Sequence, residues 1–386
     1  MQPVDFAEPL RANLVRSLQG YWAFNPPPLP PPLGATWELA RQVSEADRAL
    51  SELAGIGRTL PNPHLLIAPF IRREAVLSSR IEGTQASLSD LFSYEGAGVV
   101  NPPASDVREV FNYVQALEHG LARLKELPIS LRLIREVHGR LMAGVRGEHL
   151  TPGEFRRSQN WIGPAGCTLS EATFVPPPET EMTRALGELE KYLHAPSPLP
   201  PLVRLALLHY QFEAIHPFLD GNGRMGRLLV TLLLCAEGLL REPLLYLSAY
   251  FERSRQEYYR LLLEVSRSGT WEEWVIFFLR GVAEQARDAI RRSEQLIQLR
   301  EDFRQRVQAA RGSARLLALL DHLFSHPAIT MAHAAAKLKV THFAAAKNVR
   351  KLVAQGILQE TTGRRRNRVF VAPAIISVLE APSAGG

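Results

Sequence analysis

Apolar residues return at helical spacing along most of the chain, with polar residues on the intervening faces, so a mainly α-helical protein is expected. Leu205, Leu208, Phe212 and Ile215 mark one face of a segment from Leu202 to Ile215, and Leu228 to Leu240 is a dense apolar run of strong helix formers. A stripe of Leu65, Leu66, Phe70, Ile71, Ala75, Leu77 and Ile81 predicts a helix from Pro61 to Gly83. Val107, Val110, Tyr113, Val114, Leu117 and Leu121 predict another from Asp106 to Leu124, with Ser105 or Asp106 as its N-cap. Further helices are expected from Trp37 to Leu53, Ser130 to Val145, Glu179 to His194, Ser248 to Ser268 and Trp271 to Leu299.

Breaks in this pattern suggest the organisation. Residues 1 to about 35 end in Pro26-Pro27-Pro28-Leu29-Pro30-Pro31-Pro32, an extended polyproline-type arm. It is expected to lie on the protein's own surface through Tyr21, Trp22 and Phe24; an SH3-type ligand is the other reading. Pro102-Pro103 marks a boundary. Between Gly147 and Pro178 the chain turns rich in Gly and Pro, and two short extended runs, Asn160-Trp161-Ile162 and Ala172-Thr173-Phe174-Val175, predict a hairpin. Near the C-terminus, helices from Ser313 to Ser325, Thr330 to Lys337 and Thr341 to Gln355 precede two short strands, Ile357 to Glu360 and Val369 to Val371. With Thr341 as N-cap, Gly356 as stop and Arg364-Arg365-Arg366 at the hairpin tip, this order resembles a winged helix-turn-helix. Three domains are expected, over residues 1–100, 101–300 and 301–386.

Composition narrows the class. A length of 386 residues exceeds one ordinary core, and 46% hydrophobic content is that of a globular chain. No basic segment followed by an apolar stretch opens the sequence, so no signal peptide is expected. The most apolar run, Leu228 to Leu234, is far shorter than a membrane span. Two cysteines, Cys167 and Cys235, form neither a disulfide framework nor a metal spacing, and a cytoplasmic protein without membrane contact is expected. The charge is uneven: from Arg311 onward eleven Lys and Arg face three acids, a net +8, so the remainder of this +6 chain carries −2.

The chemistry concentrates in His216-Pro217-Phe218-Leu219-Asp220-Gly221-Asn222-Gly223-Arg224-Met225-Gly226-Arg227. A helix beginning near Arg224 would aim backbone N–H groups outward, a ready anion site, and the glycines allow close approach. Arg224 and Arg227, one turn apart, can grip phosphates. Asp220 is a hard oxygen ligand suited to Mg²⁺ on a polyphosphate, and a neutral His216 can take a proton from a hydroxyl. Together these describe transfer of part of a nucleotide.

The stretch resembles the motif of the Fic (filamentation induced by cAMP) family, histidine-x-phenylalanine-x-acid-glycine-asparagine-glycine-arginine-x-x-arginine, at every fixed position. The resemblance implies a Fic helical core with a small β-hairpin flap, an N-terminal helical extension and a C-terminal winged helix. It implies a protein adenylyltransferase (AMPylator) that moves AMP from ATP, with Mg²⁺, to a Ser, Thr or Tyr hydroxyl of a target protein. In that reading His216 is the general base, Asp220 holds the metal, and Gly221, Asn222, Gly223 and Arg224 cradle phosphates. Arg227 holds the γ-phosphate, Tyr259 stands on the adenine side, and Phe174, Val175 and Pro176 of the flap align the target by strand addition.

Ser78-Ser79-Arg80-Ile81-Glu82-Gly83 resembles the inhibitory motif found with such domains. The resemblance implies that Glu82 competes with the γ-phosphate for Arg227, with Ser78 on the same helix face; in some relatives the same glutamate helps remove AMP. Two alternatives stand beside this reading. One is a DNA-binding regulator or toxin–antitoxin component acting through the C-terminal module, which would contact either DNA or protein and support a homodimer. The other is a Fic transferase of another group.

Overall fold

The computed structural model describes residues 1–17, 19–59, 64–97, 105–363 and 367–382, and it is mainly helical. The expected starts at Pro61 and Pro102-Pro103 and the tip Arg364–Arg366 lie outside the described residues. Among the described residues no helix is long and apolar enough to cross a membrane. By internal packing the chain forms two compact units.

The first unit comprises residues 1–51, 115–240 and 250–284. Its N-terminal arm is more structured than a bare polyproline tail: after α1 (Glu8–Arg11), β1 (Leu14–Arg16) pairs antiparallel with β2 (Trp22–Phe24). The arm does lie on its own unit, since Gln211 donates to the Pro27 carbonyl at 3.0 Å. There follow α2 (Trp37–Thr59), which extends into the second unit, then the second unit's α3 (His64–Ile81) and α4 (Leu88–Ala97), then α5 (Ser105–Arg123). Back in the first unit come α6 (Leu131–Leu141), α7 (Glu179–His194), α8 (Pro201–Ile215) and α9 (Asn222–Ala236). Thirteen of the fifteen residues of α8 are buried, making it the axis against which α7 and α9 pack.

The expected helix over Ser248 to Ser268 is two, α10 (Ser248–Arg253) and α11 (Arg255–Ser268), because Ser254 leaves helical geometry at φ −103°, ψ 33°. The expected helix from Trp271 runs further, as α12 (Trp271–Ala309). Phe251, Tyr258, Trp274 and Phe278 gather around His209 with ring centroids 5.7–6.3 Å from its imidazole. The Trp274 indole donates to the Ala206 carbonyl at 2.9 Å, tying α12 to α8.

The second unit comprises residues 52–114, 241–249 and 285–386. It ends with α13 (Ala314–Ser325), β3 (Ala328–Thr330), α14 (Met331–Leu338), α15 (His342–Ala354), β4 (Gln359–Glu360), β5 (Val369–Val371) and α16 (Pro373–Glu380). The expected order of three helices and a strand pair is present. Two elements were not anticipated: β3, which completes an antiparallel sheet in the order β3-β5-β4, and α16. Two arginines hold α16. Arg292 donates to the Leu379 and Ala381 carbonyls at 3.3 and 2.6 Å, and Arg73 donates to the Leu379 carbonyl at 2.9 Å, occupying the helix's terminal acceptors. Asp288 is the counter-ion for both, at 2.6 and 3.5 Å.

Two outcomes are expected. Asp288→Ala strands the buried Arg292 and the half-buried Arg73 and lowers unfolding free energy by about 3–5 kcal/mol, measured by urea denaturation. His209 is buried and neutral: its Nε2 accepts from the Tyr258 hydroxyl at 2.8 Å and its Nδ1–H faces the Gly226 carbonyl at 3.3 Å. Burial, with Arg227 nearby, pushes its pKa down from 6.5 to about 3. The unfolded chain therefore takes up a proton below pH 6.5 that the folded chain refuses, and stability is lost as pH falls. Between neutrality and about pH 4.5 the loss from this residue is about 3 kcal/mol, and His209→Gln shows a smaller loss in the same titration.

Candidate active site

The site begins where α8 ends. His216 adopts left-handed geometry, φ 50° and ψ 60°, uncommon for a residue with a side chain, while its N–H still closes the last helical turn on the Phe212 carbonyl at 3.0 Å. This abrupt reversal throws Pro217 to Gly221 across the end of the helix. Gly221, at φ 78°, then admits the chain into α9, whose first helical residue is Asn222 rather than Arg224. A Cβ on Gly221 would also lie 2.7 Å from the Met142 sulfur and 3.3 Å from His138 Nε2.

Side chains from distant segments capture the carbonyls of this loop. Arg156 is buried; its Nε donates to the His216 carbonyl at 2.9 Å and its Nη2 to the Pro177 carbonyl at 2.5 Å. Its backbone N–H reaches the Pro217 carbonyl at 2.9 Å. Burial pulls the Arg156 pKa down to about 10, Tyr21 and Glu179 opposing the shift, so the group stays cationic at neutral pH. Asn160 Nδ2 donates to the His216 and Phe218 carbonyls at 3.2 and 2.7 Å. Asn222 closes a two-bond ring with Phe218: its Oδ1 accepts from the Phe218 N–H and its Nδ2 donates to the Phe218 carbonyl, each at 2.8 Å.

His138, on α6, completes the floor. Its ring stacks on Phe218 with centroids 3.6 Å apart and planes within 3°. Nδ1 accepts from the Gly153 N–H at 2.9 Å, so Nε2 carries the proton and donates to the Asp220 carbonyl at 2.9 Å. Burial holds its pKa near 4, with the Asp220 carbonyl opposing, and the neutral form is the one these two bonds require.

The expected site residues fall as follows. His216 Nδ1 lies 3.2 Å from the Glu213 carbonyl, so it bears the proton and Nε2 bears the lone pair. The Asp220 carboxylate accepts from the Gly221 N–H at 2.6 Å and stands 3.8 Å from the Arg224 guanidinium; its side chain is about a third exposed. Gly147, at φ 87°, lets the chain pass beside it, since a Cβ there would lie 2.6 Å from Asp220 Oδ2. Asn222, Gly223 and Arg224 form the first turn of α9, whose N–H groups point out of the helix end. Arg224 and Arg227 are both buried, and Arg224 also reaches the Met142 sulfur at 3.5 Å.

Tyr258 belongs to the aromatic core, whereas Tyr259 is 42% exposed with the Arg255 guanidinium 5.8 Å from its ring centre. Ser78 is buried on α3. Glu82 follows the end of that helix, and Gly83 takes the left-handed form, φ 97°, expected of a stop. These residues belong to the second unit and Arg227 to the first.

The two extended runs expected to form a hairpin do pair antiparallel, but briefly. The pairing is a single antiparallel bridge, Ile162 to Phe174. Phe174, Val175 and Pro176 are buried, the first two against the N-terminal arm, so their side chains face inward. Phe24 donates its N–H to the Val175 carbonyl at 2.9 Å, and its ring lies 6.0 Å from that of Phe174. The outward residues are Trp161 and Ile162, about 40% exposed. Sequence reading also missed His138, Arg156 and Asn160. The one available signal was a histidine on the apolar face of α6, beside Ile134, Val137 and Leu141.

Comparison with known proteins fits this geometry. Residues 40–122 match the Fic/DOC family N-terminal model and residues 128–234 match the Fic/DOC family model. Curated relatives include the protein adenylyltransferase Fic of Drosophila erecta, 34% identical over 117 residues, 30% of this chain and 21% of that protein. The Drosophila grimshawi protein of the same name is 30% identical over 156 residues, 40% of this chain and 29% of that one. The chain thus spans less than a third of these relatives' length. Two solved structures share the fold. A Fic family protein from Desulfovibrio desulfuricans G20 has TM-score 0.58 and 19% identity, covering 89% of this chain and 98% of that one. C. elegans Fic-1 has TM-score 0.53 and 22% identity, covering 67% and 74%.

His138→Phe preserves the stack on Phe218 but leaves the Gly153 N–H and the Asp220 carbonyl without partners. It is expected to cost about 2 kcal/mol in denaturant titrations. His138→Asn, which restores an acceptor for Gly153 alone, should recover part of that loss.

Proposed function

We propose that the chain is a protein adenylyltransferase that moves AMP from ATP to a hydroxyl of a target protein. The observation that carries this reading is the His216 tautomer: a backbone carbonyl holds the proton on Nδ1 and leaves Nε2 as the base, beside a helix N-terminus suited to phosphate. The target oxygen attacks the α-phosphorus, the bond to the β-bridging oxygen breaks, pyrophosphate departs, and the hydroxyl proton passes to His216 Nε2. The first-turn N–H groups of α9 and the Arg224 guanidinium stabilise the charge that builds on the phosphoryl oxygens. Because the Asn222 side chain is committed to Phe218, Asn222 contributes through its backbone.

Asp220 suits Mg²⁺, which takes one or two carboxylates and fills its remaining positions with water and substrate phosphates. When bound there, the ion would neutralise charge on the α- and β-phosphates. Arg227 is assigned to the γ-phosphate and the exposed Tyr259 to the adenine side. The target segment is assigned to the edge at Trp161 and Ile162. The inhibitory role of Glu82 rests on the Ser78–Glu82–Gly83 pattern at the end of α3. Cys167 and Cys235 are not joined in a disulfide, which suits the reducing cytoplasm.

The test is transfer of label from α-labelled ATP with Mg²⁺, onto the chain itself and onto lysate proteins. Strong labelling by Glu82→Gly, weak labelling by wild type and none by Glu82→Gly with His216→Ala are expected. Equal labelling by the first two removes the inhibitory role. Silence in all three with α-label, alongside transfer of another group, removes adenylyl transfer.

A further inference from the structure

From residue 322 to residue 359 the chain contains no Asp or Glu, yet it carries Lys337, Lys339, Lys347, Arg350 and Lys351. The two acids that bracket this run are already engaged. Asp321 accepts from Arg300 and Arg304 at 2.9 and 3.0 Å, and Glu360 accepts from the N–H groups of Thr362 and Gly363 at 3.0 and 2.8 Å. All five cations and Arg315 are exposed, and among the described residues none of the six pairs with an acid.

The fold sets this charge on one helix face. After α14, Lys339 turns left-handed at φ 51°, and the Thr341 hydroxyl caps α15 by accepting from the Ala344 N–H at 3.3 Å. Ala345, Val349 and Leu352 are buried, so they form the packed side of α15. Ala344 and Ala346, half-buried, flank that inner face. The outer face carries Phe343, Lys347, Arg350, Lys351 and Ala354, at successive helical spacings. Phe343 is 80% exposed, a large apolar side chain standing in water amid cations. A shallow depression of about 710 Å³, bordered by Arg315, Lys339 and Thr341, lies at the turn where α15 begins.

We infer that the outer face of α15 binds duplex DNA, with α15 in the major groove. Charge complementarity selects a polyanion. A helix of 13 residues, about 20 Å long, fits a groove about 12 Å wide that admits one helix. Lys347, Arg350 and Lys351 meet phosphates, with Arg315 and Lys339 at the turn, and Phe343 meets base edges such as the thymine methyl. The A-form major groove of duplex RNA is too narrow for this entry.

The experiment is fluorescence anisotropy of the full chain with a random-sequence 30-base-pair DNA duplex (about three helical turns) across a salt series. Wild type should bind, with log K falling by about 4 or more per decade of salt if five phosphates are met. Lys351→Ala should flatten that slope by about 1, and Lys347→Ala with Arg350→Ala should weaken binding about tenfold or more. Phe343→Ala should weaken binding without altering the slope. His216→Ala should bind as wild type does, which separates this surface from the proposed chemistry. Circular dichroism melts matching wild type establish that the exposed-face variants fold. Equal binding by wild type and the α15 variants, tighter binding to duplex RNA of the same length, or no binding at the lowest salt would each overturn the inference. So would self-association or a protein contact that depends on Phe343 in the absence of DNA binding.

Discussion

Everything in the candidate site depends on capture of the backbone carbonyls between His216 and Asp220. A chain that leaves a buried helix in left-handed geometry exposes polar backbone atoms to an apolar floor, and such atoms are costly unless hydrogen-bonded. Arg156 and Asn160 satisfy His216, the Arg156 backbone satisfies Pro217, Asn160 and Asn222 satisfy Phe218, and His138 satisfies Asp220. The loop's shape is therefore fixed before any ligand arrives, which is what an anion-binding turn needs if charge is to be stabilised without reorganisation.

His138, His209 and His216 divide by what their nitrogens meet. His209 and His138 are closed on both sides by fixed partners and serve as neutral parts of the framework. At His216 a carbonyl of its own helix faces Nδ1 and sets the tautomer. The same chemical group thus serves as packing at one position and as scaffold at another, and at His216 a backbone carbonyl selects its tautomer.

The central motif was legible because its chemistry sits in twelve contiguous residues on a helix–loop–helix whose flanks are plainly periodic. Its supports were not, because His138 and Arg156 reach their partners across 82 and 60 residues of sequence. Asn222 was legible as a motif position, but its side chain closes the loop. The flap was misread for a related reason. Phe174 and Val175 read as one extended run of a hairpin, and nothing local announces that Trp22-Ala23-Phe24 pairs with Leu14-Val15-Arg16 and lies against them. A strand of three residues carries little periodicity of its own: β5 was legible as one of two runs flanking a turn, and β3 has no such partner beside it in sequence. Helix lengths failed where a break or a continuation depends on one residue, as at Ser254.

The cover that Phe24 places over Val175 has a consequence for the chain's solubility. With the arm in place, the Val175 carbonyl is paired and the Phe174 ring is sheltered. A chain trimmed past Phe24 would uncover an apolar strand edge with an open acceptor, the kind of surface that recruits a second copy by edge-to-edge pairing. The first two dozen residues therefore act as a shield that keeps this edge closed.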